Sequence, residues 1–293
     1  MTVCKYCGST TIVRNGILRG SQRYLCKSCR HKFYDNGNGF VRMRTPTHVI
    51  VSSLGMYFDG LSVRKVSSQV NDIFGEKVSQ VAIWSWIQKY GKMVSEYVKT
   101  LQPSLSGKYH HDETEFKVGG EGRYFWEMID EDTRFLLAHH LSSSRTSEEA
   151  SKVFRQALSK QRPIALFTDG SFAYDEAFSK VFYTRHKASR VEWIRRVGIR
   201  ARETNNIVER LHGTLKDRLR PMRGLKRDLT ARTLLDAYVA YYNFCRTHQA
   251  LGKTPAQASG LEIKGWKELI RAAQTKKTLD ETKPIMVEVK IRN

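Results

Sequence analysis

The spacing of apolar residues changes along this chain, and each change predicts a different kind of element. Residues 45–100 carry Leu54, Met56, Tyr57, Phe58, Val63, Val66 and Val70 at mixed three- and four-residue intervals, which predicts helices. Gly60 and Gly75 punctuate the run. Ser62 and Ser79 follow these breaks and are placed to cap two helices. In the second, residues 80–90, Ile83, Ile87 and Tyr90 form an inward face, while Gln80, Ala82, Ser85 and Lys89 point outward. From Lys108 the pattern turns strand-like. Residues 108–118 and 123–130 are predicted strands joined through Gly119-Gly120-Glu121-Gly122, a hairpin signal, and residues 133–141 offer a third strand. Residues 147–158 return to helix, with Ala150, Val153, Phe154 and Ala157 on one face. Residues 164–168 form a short buried strand, and residues 172–182, 204–219 and 230–245 are predicted helices. Beyond residue 261 the pattern fades, although residues 283–291 alternate enough for a terminal strand. Together these elements describe a mixed α/β layer fold.

Charge adds a partner to that picture. Fifty Lys and Arg against 29 Asp and Glu give the 293 residues a net charge of +21 and a pI near 9.9. Such an excess favours nucleic acid or an anionic membrane and is silent about fold. No stretch approaches the roughly 18 apolar residues of a membrane span. Cys4, Lys5 and Cys7 stand where a signal peptide needs an apolar run, so a cytoplasmic, nucleoid-associated protein is expected. Residues 1–107 hold 15 basic and 5 acidic side chains, a net of +10. The helix, Gly-containing turn and second helix within them follow helix-turn-helix grammar, with Gln80, Ser85 and Lys89 set to meet DNA. An ordinary helical pair would read the same way.

Four of the five cysteines fall in two pairs, Cys4-x2-Cys7 and Cys26-x2-Cys29. In a reducing compartment that spacing points to one structural Zn2+ held by four thiolates, stapling a module too small to fold alone. Whether its basic hairpin touches DNA or protein is open at this level. Cys245 stands apart and is expected to be a buried helix residue.

Three acids have distinctive settings. Asp112 interrupts a strand, Asp169 closes the apolar run Ile164-Ala165-Leu166-Phe167-Thr168, and Glu209 sits on a helix with Lys216 and Arg220 on the same side. Carboxylates from two strands and a helix can converge to hold two divalent cations, Mg2+ or Mn2+, for phosphodiester chemistry. Taken singly, Asp169 before Gly170 reads as a turn residue and Glu209 as a surface ion-pair partner. Glu113, Glu115 and Asp130 compete for the same role, with Glu113 facing away from Asp112 by alternation.

The segments His111-Asp112-Glu113-Thr114, Phe167-Thr168-Asp169-Gly170 and Asn205-Asn206-Ile207-Val208-Glu209-Arg210-Leu211-His212-Gly213-Thr214-Leu215-Lys216, with the later Tyr241-Tyr242-Asn243-Phe244-Cys245-Arg246-Thr247-His248, resemble prokaryotic insertion-sequence transposases of the DDE superfamily. The resemblance implies a ribonuclease H-like mixed-sheet catalytic core over residues 108–260. It also implies a zinc ribbon over 1–38, an all-α helix-turn-helix domain over 45–100 and a C-terminal extension over 261–293. Asp112, Asp169 and Glu209 then form the metal-binding triad, and Lys216 is the basic DNA contact. The implied activity is metal-dependent 3′-end cleavage at element ends and strand transfer into target DNA. Joining two ends in one event implies a homodimer or a larger homo-oligomer on double-stranded DNA. Two departures stand out: the Asp169–Glu209 gap is longer than usual, implying an extra turn around residues 191–202, and His111 stands where an aromatic is common. The alternative is a DNA-binding regulator derived from a transposase that has lost catalysis.

Overall fold

The computed structural model describes residues 3–4, 6–18, 21–34, 40, 43–196, 206–222 and 225–282. The terminal strand expected over residues 283–291 lies outside them, as does Asn205.

Strands β1 (Ile12–Leu18), β2 (Ser21–Cys26) and β3 (Lys32–Tyr34) form a small antiparallel sheet. Its buried centre is Cys4, Cys26 and Phe33, separate from the main core. Three apolar side chains hold little burial energy, so this ribbon depends on its cysteines.

Helices α1 (Thr47–Phe58), α2 (Val63–Phe74) and α3 (Gln80–Val98) follow. The Ser62 hydroxyl accepts from the Lys65 N–H and the Ser79 hydroxyl from the Ala82 N–H, so both expected caps are in place. Gly75 closes α2 at φ +65°, a left-handed turn that favours glycine. Ile83, Ile87 and Tyr90 are buried. The third helix runs eight residues past Tyr90, straight through Gly91. There a Cβ would lie 2.8 Å from the Ala237 Cβ, so glycine permits close packing on helix α7 (Asp228–Phe244). Helix propensity favours Ala over Gly by about 1 kcal/mol, which offsets part of the crowding. A larger side chain has no such balance. Gly91→Leu is expected to lower stability by about 1–3 kcal/mol through overpacking, read as a reduced thermal midpoint.

The second sheet begins with β4 (Lys108–Val118) and β5 (Glu121–Asp130), joined by Gly119 and Gly120 at φ +62° and +94°. Both residues need positive φ, as a two-residue hairpin demands. β6 (Leu136–Ser142), β7 (Ala165–Asp169) and β8 (Glu192–Arg196) complete it in the order β6-β5-β4-β7-β8. β5 is antiparallel to both neighbours, whereas β4, β7 and β8 run parallel. This five-stranded mixed sheet is of the mixed α/β class expected for the core. Periodicity predicts no strand at β8; part of the turn expected near residues 191–202 is this strand. Helices α4 (Ser147–Lys160) and α5 (Ala173–Phe182) cover one face, and α6 (Asn206–Leu219) covers the other.

Helix α7 ties the parts together. The buried Asn243 side chain exchanges two hydrogen bonds of 2.9 Å with the backbone of Leu136, occupying polar groups of edge strand β6. A short helix, α8 (Pro255–Ala258), leads to α9 (Gly265–Thr282), whose Trp266 packs on Phe58 of α1. The apolar core is therefore continuous from the first three helices through the sheet to α9. Cys245 is a half-buried residue at the C-cap of α7.

Candidate active site

Parallel pairing aligns Lys108 with Ala165, Tyr109 with Leu166 and His110 with Phe167. Continued by two residues, that register sets Asp112 beside Asp169, on neighbouring strands about 4.8 Å apart. The His110 and Phe167 rings stack at 4.5 Å, so these alternate positions share a face, and Asp112 and Asp169 continue it. Across the antiparallel hairpin Asp112 is paired with Glu127. Both face α6.

His212 of α6, one turn after Glu209, meets this face. Its Nε2 lies 2.8 Å from Glu127 Oε2 and its Nδ1 lies 4.0 Å from Asp112 Oδ2. Glu127 is fully buried. The 2.8 Å approach is off-line for a hydrogen bond, leaving both atoms without a well-aligned partner. Burial raises the Glu127 pKa despite His212, which lowers it. Burial opposes charge on His212, but Glu127 and Asp112 together raise its pKa. Both shifts keep a proton on the pair.

Burial pushes the Asp112 carboxyl up to about 7; His212 opposes the rise, and the negative charges of Glu113 and Asp169 add to it. Asp112 Oδ1 accepts from the Glu113 N–H at 2.9 Å. Asp169 is half exposed, and its Oδ1 accepts from the Ser171 N–H at 2.9 Å, so it is a turn residue as well as a neighbour of Asp112. Arg145 pairs with Glu113, and its Nη2 lies 3.7 Å from Asp169 Oδ2. Glu113 also accepts from the Tyr174 hydroxyl on the α5 side, facing away from Asp112 as alternation predicts. Asp130 is a buried turn acceptor for Ser106 and Thr133.

Glu209 is exposed near the start of α6, with Val208, Leu211 and Leu215 buried on the adjoining stripe. Lys216 is exposed two turns on. Arg220 lies just past the helix in a short 3-10 turn, 3.1 Å from Asp217. Gln80, Ser85 and Lys89 are exposed along α3. Among the described residues, Asp112, Asp169 and Glu209 are not a set whose ligand atoms all lie within 4.8 Å; Cys4, Cys7, Cys26 and Cys29 are. Asp112 and Asp169 still offer the hard oxygen donors a divalent cation takes, and the Arg145 guanidinium is drawn to the edge of the site between Glu113 and Asp169.

The cysteines fit zinc closely. Cys4–Cys29 and Cys7–Cys26 sulfurs are each 3.6 Å apart. A tetrahedron with Zn–S bonds of ~2.3 Å places its sulfurs at roughly 3.8 Å. These four thiols could hold one zinc ion.

Glu127 and Arg145 are residues at this site that sequence reasoning passes over, and His212 enters it only as part of the Glu209 motif. A two-residue hairpin would have exposed the first, because it fixes the Asp112–Glu127 pair.

The chain is similar to the HTLV-2 integrase catalytic core domain solved with magnesium, at 19% identity and a TM-score of 0.41, over 54% of this chain and 98% of that one. It is similar to the BIV integrase catalytic core domain at 18% identity and a TM-score of 0.39, over 53% and 93%. A third likeness is to a simian T-cell lymphotropic virus intasome solved with PP2A regulatory subunit B56 gamma, at 19% and 0.41, over 54% and 56%. No curated protein matches the chain. Residues 106–248, which contain Asp112, Asp169 and Glu209, match the family model described as a DDE domain. Over those 143 residues the chain is similar to DDE domains.

Proposed function

We propose that this chain is a DNA transposase that binds the ends of an insertion sequence, cleaves their 3′ ends and transfers them to target DNA. The observation that carries the reading is Asp112 beside Asp169 on adjacent parallel strands, facing the helix that bears Glu209, in a chain of net charge +21. Asp112, Asp169 and Glu209 are the ligands for two Mg2+ or Mn2+ ions. When bound, such ions activate an attacking oxygen and neutralise the leaving one. The protein's own part is to place acceptors and phosphates. His212, braced by the buried Glu127, holds the Asp112 side of the site against α6. Lys216 on α6 and Arg220 in the turn just after it carry charge toward a DNA backbone. Gln80, Ser85 and Lys89 offer polar groups to a groove. Cys4, Cys7, Cys26 and Cys29 take one structural zinc. A homodimer or larger assembly brings two ends together. No described helix is long and apolar enough to cross a membrane, in keeping with a nucleoid-associated protein.

A regulator without catalysis is the second reading, and the exposed, ungathered Glu209 favours it. Incubating the intact chain and Mg2+ with DNA carrying the inverted repeats that flank its coding region separates the two. Strand-transfer product supports the transposase; binding without any cleavage supports the regulator.

The His212 brace gives its own expected result. His212→Ala strands Glu127 in the core, and breaking a buried pair costs about 3–5 kcal/mol. His212→Ala with Glu127→Leu removes both charges and should recover much of that stability, yet activity should stay down by roughly 10–100-fold for want of the support to Asp112. Melting curves and metal titrations of cleavage check both halves. Full activity in the double variant would remove the positioning role.

A further inference from the structure

A groove runs from the turn between α2 and α3, across the first turn of α2, to the segment after α6. It consists of three adjoining depressions of about 520, 580 and 320 Å3. The first two share Arg64; the last two share Ser62, Pro221 and Met222. Six cations line it, namely Arg64, Lys65, Lys77, Arg218, Arg220 and Lys226, and none of its lining residues is acidic. In a chain with 29 acids, such a segregation is a field, not an average. Among the described residues Arg64, Lys65, Lys77 and Lys226 form no ion pair, so their charge is uncommitted. Among the described residues Arg220 pairs with Asp217, and both are largely exposed.

The groove's position is as telling as its charge. Its start is the cap of α3, at Ser79, next to Gln80. Its middle is the N-terminus of the 12-residue α2, where Arg64 and Lys65 stand at the positive end of the helix dipole and Ser62 caps the Lys65 N–H. Its far end is the exit of α6, the helix of Glu209. The floor is rigid. Arg218 is buried with its guanidinium 3.8 Å over the Tyr57 ring, pinning the end of α6 to α1. The Thr230 hydroxyl adds a neutral polar group at the far end.

From these observations we infer that the groove is a phosphate track. One strand of a DNA duplex crosses the first turn of α2 and the segment after α6, so that α2, the α3 cap and the end of α6 grip the same duplex from a single protomer. This inference rests on the transposase reading and adds to it the path of the DNA backbone between the helices and the carboxylates. The occupant is double-stranded DNA because the cations are spread along adjoining open depressions, as the repeated phosphates of a polyanion require.

The test is the salt dependence of binding by the full-length, zinc-loaded chain to a short duplex of arbitrary sequence. Each phosphate contact contributes about −0.9 to the slope of log K against log salt. Arg64→Gln with Lys65→Gln should make that slope shallower by roughly 1.8. Lys77→Gln and Lys226→Gln, at the two ends, should each remove about 0.9 and keep the question answerable if the double variant fails to fold. Unchanged slopes in folded variants, with the unaltered chain binding DNA normally, overturn the track and leave the transposase reading standing. No DNA binding by the unaltered chain overturns both.

Discussion

Asp112→Asn should abolish metal-dependent DNA cleavage and strand transfer while leaving the fold at least as stable as before. The two effects have separate causes. Removing one carboxylate from a site that works through divalent cations forfeits several kcal/mol of transition-state stabilisation, roughly a 10³-fold loss or more. The same carboxylate is a burden on the folded state: burial, Glu113 and Asp169 all push its pKa upward. A neutral amide of equal size relieves that burden. Its Oδ1 still accepts from the Glu113 N–H. The expected pattern is an unchanged or raised thermal midpoint with product below detection. Asp169→Asn should lose activity similarly but without the gain, since Asp169 is half exposed and lies near Arg145. A cleavage rate for Asp112→Asn within tenfold of the original would exclude Asp112 from the chemistry.

Stripping zinc should unfold residues 3–34 and spare the sheet. The ribbon's own core is Cys4, Cys26 and Phe33. Zinc bound to such modules supplies about 10–16 kcal/mol near pH 7, far more than three side chains can. The main core does not draw on that cluster. Amide hydrogen exchange after chelation should show β1 and β2 exchanging freely, with β4, β5 and β6 still protected. Cys4→Ser should reproduce the effect at any zinc concentration that keeps the unaltered chain folded. Protection of β1 and β2 in the chelated chain would show that the metal is dispensable to the ribbon.

The elements with strong local signals are legible from residue patterns. Ser62 and Ser79 cap where serine after a glycine break predicts, and Gly119-Gly120 announces the hairpin that carries Asp112. What escapes depends on distance along the chain. β8 reads Glu-Trp-Ile-Arg-Arg, too charged for a buried strand, because it lies at the sheet's edge, where charge is tolerated. The pattern ends helix α3 before Gly91, since glycine in a helix signals an end unless a neighbour requires it; that neighbour, Ala237, is far downstream. Glu127 is the sharpest case. A loop over residues 119–122 would set Asp112 opposite Ile129, whereas the tighter turn sets it opposite Glu127. Nothing local then tells that an acid in Tyr124-Phe125-Trp126-Glu127-Met128-Ile129 is fully buried, because its partner, His212, arrives on α6. The three carboxylates were visible as residue types in suggestive contexts. Their placement needed the sheet register and the docking of α6.

The most direct measurement is a crystal structure of the full chain soaked with Mn2+ in the presence of a DNA end, read by anomalous scattering. Manganese peaks ligated by Asp112 and Asp169 are expected, with Glu209 of α6 closing the shell. Metal bound elsewhere, or Glu209 remaining beyond about 12 Å from the two aspartates with DNA in place, a span no cation pair at ~3.5–4 Å separation can bridge, would contradict it.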